Sequence, residues 1–176
     1  MIHRICITGT ESTGKSTLVE KLAIHYKTIF VPDYSRYYVG QLTRAYNQMD
    51  VLEIARGIME QEDNDIRNAN KILFSDNDLV NIKIWLQYYK WQVPDWLNEQ
   101  ILKRKSDMYL FCDIDLPWVA DSQRSNPDDR EELFAKFIQE FTEINANLKF
   151  VSGTLNERME VATAHIDTFL HSILSA

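Results

Sequence analysis

Short apolar runs alternate along this chain with longer stretches in which apolar positions recur every three or four residues. Ile2, Ile5, Cys6 and Ile7 form the first run and read as a buried strand. Leu18, Val19, Leu22, Ala23 and Tyr26 then recur at helical spacing. Thr28, Ile29, Phe30 and Val31 predict a second strand, stopped by Pro32. Val51, Leu52, Ile54, Ala55, Ile58, Met59 and Ile66 mark an amphipathic helix, with Asp50 as its expected N-cap. Ile72, Leu73 and Phe74 make a third strand, and Ile82, Ile84, Trp85, Leu86, Tyr88 and Tyr89 a further helical stretch. Pro94 ends that stretch and starts a short helix reaching Leu102. A fourth strand is predicted at Met108–Cys112, followed by a polar loop over 121–130. Leu133, Phe134, Phe137, Ile138 and Phe141 define a helical face, Leu148–Val151 a fifth strand closed by Gly153, and a last helix covers about 156–173.

Strands that alternate with helices predict an α/β fold, a doubly wound parallel sheet of five strands covered on both faces. In such a sheet ligands bind beyond the carboxyl ends of the strands. Each polar cluster of this chain follows a strand: a glycine-bearing loop after the first, Asp33 after the second, Asp76 and Asp78 after the third, Asp113 and Asp115 after the fourth, Gly153 after the fifth. All are expected on one rim. With no internal repeat, low-complexity tract or linker, residues 1–176 read as a single domain.

Composition narrows the partners. A hydrophobic content of 45% over 176 residues suffices for one sizeable core. The net charge of −7 argues against nucleic acid or an anionic membrane surface as the main partner, since both call for a basic patch. Cys6 and Cys112 lie in apolar runs and read as buried thiols, giving neither a disulfide framework nor a metal site. The four histidines show no metal-ligand spacing. The first strand begins almost at Met1, so no signal peptide is expected, and no apolar run is long enough to span a bilayer. A cytoplasmic protein is the expectation.

The loop after the first strand carries the most specific chemistry. Gly9-Thr10-Glu11-Ser12-Thr13-Gly14-Lys15-Ser16-Thr17 meets the phosphate-binding pattern G-x-x-x-x-G-K-S/T at every fixed position, between a strand and a helix as that pattern requires. Glycines at both ends let the backbone curl so that its N–H groups point at an anion. The helix that opens near Lys15 adds its positive end to the same point. Lys15 reaches the β- and γ-phosphates of a nucleoside triphosphate, and the Ser16 hydroxyl ligates Mg²⁺. ATP and Mg²⁺ are the cofactors this loop implies.

The other clusters each have two readings. Asp33 either orients an acceptor hydroxyl for attack or caps a helix, with Arg36 one turn on facing the rim or solvent. Tyr34, Tyr37 and Tyr38 serve as packing or as a stacking surface. Asp76, at the end of an apolar strand, suits Mg²⁺ coordination or a turn, and Asp78 an N-cap. Asp113 and Asp115 would hold ribose hydroxyls or sit in a polar loop. Arg124 and Arg130 would bring positive charge to a transferring phosphoryl group or be solvated. A small-molecule kinase acting on a nucleoside is the leading reading. The rivals are a kinase for another nucleoside or nucleotide and a regulatory P-loop ATPase. Against a GTP switch, Asn70-Lys71 is followed by Ile72-Leu73, so no Asn-Lys-x-Asp signature is present.

The phosphate loop, Asp33-Tyr-Ser-Arg-Tyr-Tyr, Ser75-Asp-Asn-Asp, Asp113-Ile-Asp-Leu-Pro-Trp-Val-Ala-Asp-Ser-Gln-Arg124 and the element from Gly153 to Arg158 together resemble the nicotinamide riboside kinase domain of NadR-type proteins. The resemblance runs through nearly the whole chain in one order, and its Asp-x-Asp-x-Pro-Trp-Val piece is more specific than the loop. It implies a P-loop kinase fold that uses ATP and Mg²⁺. The implied reaction transfers the γ-phosphoryl group to the ribose 5′-hydroxyl of nicotinamide riboside. It also implies catalytic roles for Lys15, Asp33, Arg124 and Arg130, metal binding by Ser16 and Asp76, and substrate contacts from Asp33, Tyr34, Arg36, Asp113, Asp115 and Trp118. Nothing here matches the nucleotidyltransferase or DNA-binding regions of NadR-type proteins, so nicotinamide mononucleotide rather than NAD is the expected product. Where the family is expected to place an aromatic residue before the acid of the second strand, this chain has Pro32.

Overall fold

A computed structural model of the chain describes residues 2–119 and 129–175. Its centre is a sheet of five parallel strands, β1 (His3–Thr8), β2 (Phe30–Val31), β3 (Ile72–Asp76), β4 (Met108–Cys112) and β5 (Leu148–Val151), in the order β2-β3-β1-β4-β5. Among the described residues seven α-helices connect and cover them: α1 (Lys15–His25), α2 (Tyr34–Gly40), α3 (Gln48–Asp65), α4 (Leu79–Tyr88), α5 (Asp95–Lys103), α6 (Arg130–Glu143) and α7 (Leu155–Leu174). The predicted fold class is the one observed.

Strand residues sort alternately onto the two faces, as the pleat demands. Ile5, Ile7, Phe74 and Leu110 pack with Leu18 and Leu22 of α1 and Ala162 and Ile166 of α7. Cys6, Tyr109 and Phe111 face the other way, toward Ile54 of α3, Ile84 of α4 and Phe137 of α6. Because both faces are covered, the strands carry apolar residues at consecutive positions, which is why they read as unbroken apolar runs. Cys6 and Cys112 are buried and unpaired with each other, as expected. Burial pushes both thiols up, Cys112 to about 11, so neither is a nucleophile at neutral pH.

The chain runs from β1 outward through β2 to β3 and then crosses back over β1 to β4. The carboxyl end of β1 is therefore the point where the winding reverses, the place at which open α/β sheets bind ligands. Residues after β2 and β3 flank it on one side and residues after β4 and β5 on the other.

Boundaries differ in places from the sequence reading, and β2 is confined to Phe30–Val31, short of the predicted Thr28–Val31. Asp50 is not the N-cap of α3. Asn47 is, its side chain accepting from the Met49 and Asp50 backbone N–H groups while the Asp50 carboxylate accepts from the Asn47 N–H, a capping box. The tyrosines after Asp33 form a separate helix, α2, and Arg130 opens α6 instead of ending a loop. Among the described residues no helix is long and apolar enough to cross a membrane.

Candidate active site

β1 ends in a turn that the glycines make possible. Gly9 has φ of 132°, and a Cβ there would stand 2.7 Å from the Cys112 carbonyl oxygen of β4. Gly14, at φ of 78°, precedes the first residue of α1. The loop between them is braced from within. The Thr13 hydroxyl donates to the Thr10 carbonyl at 2.8 Å, and Lys15 Nζ donates to the same oxygen at 2.7 Å. The loop leads directly into the amino-terminal end of α1, the positive end of a helix dipole and a setting that favours an anion.

A second brace was not foreseen. Arg158 of α7 is 1% exposed. Its Nη1 donates to the Thr13 carbonyl at 2.9 Å and its Nε to the Gly153 carbonyl at 2.8 Å, while Nη2 pairs with the Asp115 carboxylate. Asp115 also accepts from the Gly153 N–H. Asp113 accepts from the Ile114 N–H at 2.8 Å. The two carboxylates expected to hold the acceptor's ribose thus lie on the β4–β5 side, tied to Arg158 and backbone. The strand order separates them from the β2–β3 side where Asp33 sits. The signal for Arg158 was its place in the Gly153 to Arg158 element. The partner, 43 positions earlier, was out of reach of any local pattern.

Ser16 Oγ donates to Asp76 Oδ2 at 2.5 Å. Asp76 is 5% exposed, and burial raises its pKa while Lys15 opposes the shift. Its Oδ1 has no hydrogen-bond partner among the described residues. An orphaned buried carboxylate oxygen beside a hydroxyl, at the mouth of a phosphate loop, is a donor set that fits a hard divalent cation.

Asp33 caps a helix, one of its two readings, through one of its carboxylate oxygens. Its Oδ1 caps α2 by accepting from the Ser35 N–H at 3.0 Å and from the Ser35 hydroxyl. Its Oδ2 lies 3.3 Å from Nδ2 of Asn77, a residue sequence reasoning had passed over. Asn77 is buried between Asp76 and Asp78 with φ of 70°. Asp78 caps α4, accepting from the Val80 N–H at 3.0 Å, as expected.

Asp33, Ser35, Arg36 and Asn77 meet the loop at one end of a cavity of about 570 Å³ that runs between α2, α3, α4 and α6. Its far walls are apolar and aromatic, with Val51, Ile54, Ile82, Trp85, Phe137 and Tyr46. Trp85 is itself stacked on Tyr89, and Tyr89 on Trp91, with the Tyr46 and Tyr89 hydroxyls 2.6 Å apart. The size suits a nucleoside. The aromatic side chains lining the cavity thus come from elements other than the second strand. Tyr34 and Trp118 are not among the lining residues. The Tyr34 ring lies against α3 where Gly57 leaves room, since a Cβ on Gly57 would stand 2.0 Å from Tyr34 Cε1. Gly57→Ala is therefore expected to destabilise the fold by about 1–3 kcal/mol through overpacking, read as a lower urea midpoint.

Trp118 sits under the Arg130 guanidinium, 6.0 Å from its ring centroid. Arg130 Nη1 donates to the Leu116 carbonyl at 3.1 Å and Nη2 to the Ser12 carbonyl at 3.5 Å. Arg130 thus reaches the phosphate loop from the start of α6. Arg124 lies outside the described residues.

A family model described as an AAA domain matches residues 4–158. The chain is similar to the trifunctional NAD biosynthesis/regulator protein NadR of Escherichia coli, 32% identical over 158 residues, which is 85% of this chain and 38% of that protein. The chain thus spans well under half the length of this relative. Its fold resembles the crystal structure of a NadR protein in complex with NR, with a TM-score of 0.72 at 18% identity, covering 93% of this chain and 49% of the other. It also resembles thymidylate kinase from Ehrlichia chaffeensis, with a TM-score of 0.64 at 14% identity, covering 92% of this chain and 97% of that one.

Proposed function

The chain belongs to the AAA domain family, and from that premise we propose that it is a kinase transferring the γ-phosphoryl group of ATP to the ribose 5′-hydroxyl of nicotinamide riboside. The observation that carries the reading is the pairing of a complete phosphate loop with the Asp33 carboxylate across the mouth of one nucleoside-sized cavity. The likeness to NadR, and to a NadR structure holding NR, supports the choice of nucleoside.

The residues divide the work. Loop N–H groups and Lys15 neutralise charge on the β- and γ-phosphates and hold the donor in place. Ser16 and Asp76 would hold Mg²⁺, which when bound offsets the negative charge of those phosphates. Asp33 accepts a hydrogen bond from the 5′-hydroxyl and takes its proton as the new O–P bond forms and the bond to the β-phosphate oxygen breaks. Arg130, anchored on the Ser12 and Leu116 carbonyls, brings positive charge to the donor side. Contacts to the ribose fall to the polar end of the cavity, from Ser35, Arg36, Asn77 and Asn81, instead of Asp113 and Asp115. Trp85 and Tyr46 offer flat faces to the base. A pyridinium ring gains both stacking and cation–π attraction there, more than a neutral pyrimidine does.

The test offers ATP and Mg²⁺ with nicotinamide riboside, adenosine, uridine, thymidine and cytidine side by side and detects products by mass. Nicotinamide mononucleotide and ADP are expected, with the other acceptors at least about tenfold poorer in kcat/KM, the discrimination that 1.4 kcal/mol of differential binding gives. Good phosphorylation of another nucleoside and none of nicotinamide riboside would retain the kinase and overturn the named acceptor. ATP hydrolysis indifferent to every acceptor would point instead to a regulatory ATPase.

A further inference from the structure

The wall of the acceptor cavity is held in place by one carboxylate remote from the phosphate loop. Residues 41–47 connect α2 to α3 without regular secondary structure of their own, yet Leu42, Arg44, Ala45 and Tyr46 from this segment line the cavity. A connection of this kind is ordinarily among the least stable parts of a fold. Here Asp50, only 3% exposed, gathers it. Its Oδ2 accepts from Arg44 Nη1 at 2.6 Å and its Oδ1 from Arg44 Nη2 at 2.9 Å, a two-pronged pair. Asp50 Oδ2 also accepts from the Asn47 N–H at 2.8 Å, and Oδ1 from the Tyr38 hydroxyl of α2 at 3.2 Å. One side chain thus joins α2, the connecting segment and the first turn of α3. The pair with Arg44 holds the Asp50 carboxyl well below the usual carboxylate range, so it stays charged at any physiological pH.

We propose that Asp50 is a positioning residue for the acceptor: through Arg44, Asn47 and Tyr38 it clamps residues 41–47 as a fixed wall of the nucleoside cavity. Its place in catalysis rests on the kinase reading above, whereas the clamp itself rests on the hydrogen bonds alone. Asp50 does not line the cavity, so it acts only through the segment it holds. Tyr46 is carried on that segment and its hydroxyl meets Tyr89 of the aromatic stack. Loosening the segment therefore disturbs the base-side wall and leaves the phosphate loop untouched.

Asp50→Asn separates the clamp from the cap. The amide oxygen still accepts from the Asn47 N–H, but the charge that holds Arg44 is gone and an N–H faces the guanidinium. Two measurements follow on the same preparation, with Arg44→Gln as a second variant that starts from the more exposed partner. Hydrogen exchange without ligand is expected to speed up about tenfold or more at amides 41–47, and to be unchanged at 9–17. Kinetics are expected to show the acceptor KM raised about tenfold, with the KM for ATP within about twofold of wild type. The double variant should be no worse than either single one, because both remove the same interaction. Unaltered exchange over 41–47 overturns the clamp, whether or not a nucleoside is turned over. Faster exchange with an unchanged acceptor KM, or an equal rise in both KM values, overturns its role toward the acceptor. Absence of turnover with any nucleoside in the wild type counts against the kinase reading instead, and the exchange result still decides the clamp.

Discussion

Lys15→Ala is expected to abolish phosphoryl transfer while the fold stays intact. Among the described residues Lys15 Nζ is held by a hydrogen bond to the Thr10 carbonyl of its own loop. Losing a single part-buried bond of that kind costs only about 0.5–1.5 kcal/mol, within the tolerance of a protein of this size. The loop retains other braces, the Thr13 hydroxyl on Thr10 and the Arg158 guanidinium on Thr13. The loss in transfer is of another order. Lys15 supplies the one side-chain cation within the phosphate-binding motif, where charge accumulates on the transferring group. Removing one such preorganised donor typically costs about 10²–10³ in turnover, and a full positive charge is worth at least that. Far-UV circular dichroism and melting should stay near wild type while ADP production with an acceptor falls below detection. Turnover equal to wild type would end the kinase reading altogether.

The parts of this fold that local patterns specify were legible, and those that depend on meetings between distant segments were not. The strands showed because a parallel sheet covered on both faces leaves few polar positions in them, as in Met108–Cys112, which is buried throughout. The phosphate loop showed because backbone curvature and phosphate contact fix residue types at fixed spacing. Asp33 was legible as two alternatives, of which the structure describes the cap. Capping uses Oδ1 and leaves Oδ2 directed at Asn77, so a cap and a functional carboxylate do not compete. The capping box of α3 was present as Asn47-x-x-Asp50 and was misplaced because an acidic N-cap is itself common. Periodicity marked Trp85 and Phe137 as apolar helix positions but carries no record of which helices enclose a cavity between them. Tyr34 needed Gly57, and Asp115 needed Arg158, and neither pair is close in sequence. Asp113 and Asp115 are set apart from Asp33 for a topological reason. Alternation of strands and helices places polar ends on one rim, but only the strand order tells which side of β1 each one occupies.

Asp33→Asn is the sharper test of how the two sides of that rim divide donor from acceptor. Asparagine caps a helix about as well as aspartate, so the amide oxygen can keep the bond from the Ser35 N–H and α2 should hold. What is lost is the charge and the ability to take a proton at the oxygen facing the cavity. A positioned base contributes about 10²–10⁴-fold, and kcat is expected to fall within that range. ATP affinity is expected to change little. On the proposed division the donor is held by the loop, Ser16 and Asp76, whereas the Asp33 side chain is bonded to Ser35 and Asn77. Removing a negative charge near the phosphates would, if anything, tighten the nucleotide slightly. Turnover at saturating substrates and nucleotide affinity by titration calorimetry, measured on one preparation, separate the cases. A variant with weakened ATP binding and unchanged kcat would move Asp33 to the donor side and leave the acceptor hydroxyl without its base. A variant with kcat reduced and ATP affinity kept assigns to one carboxylate both the helix that forms the cavity's near wall and the proton that must leave the acceptor.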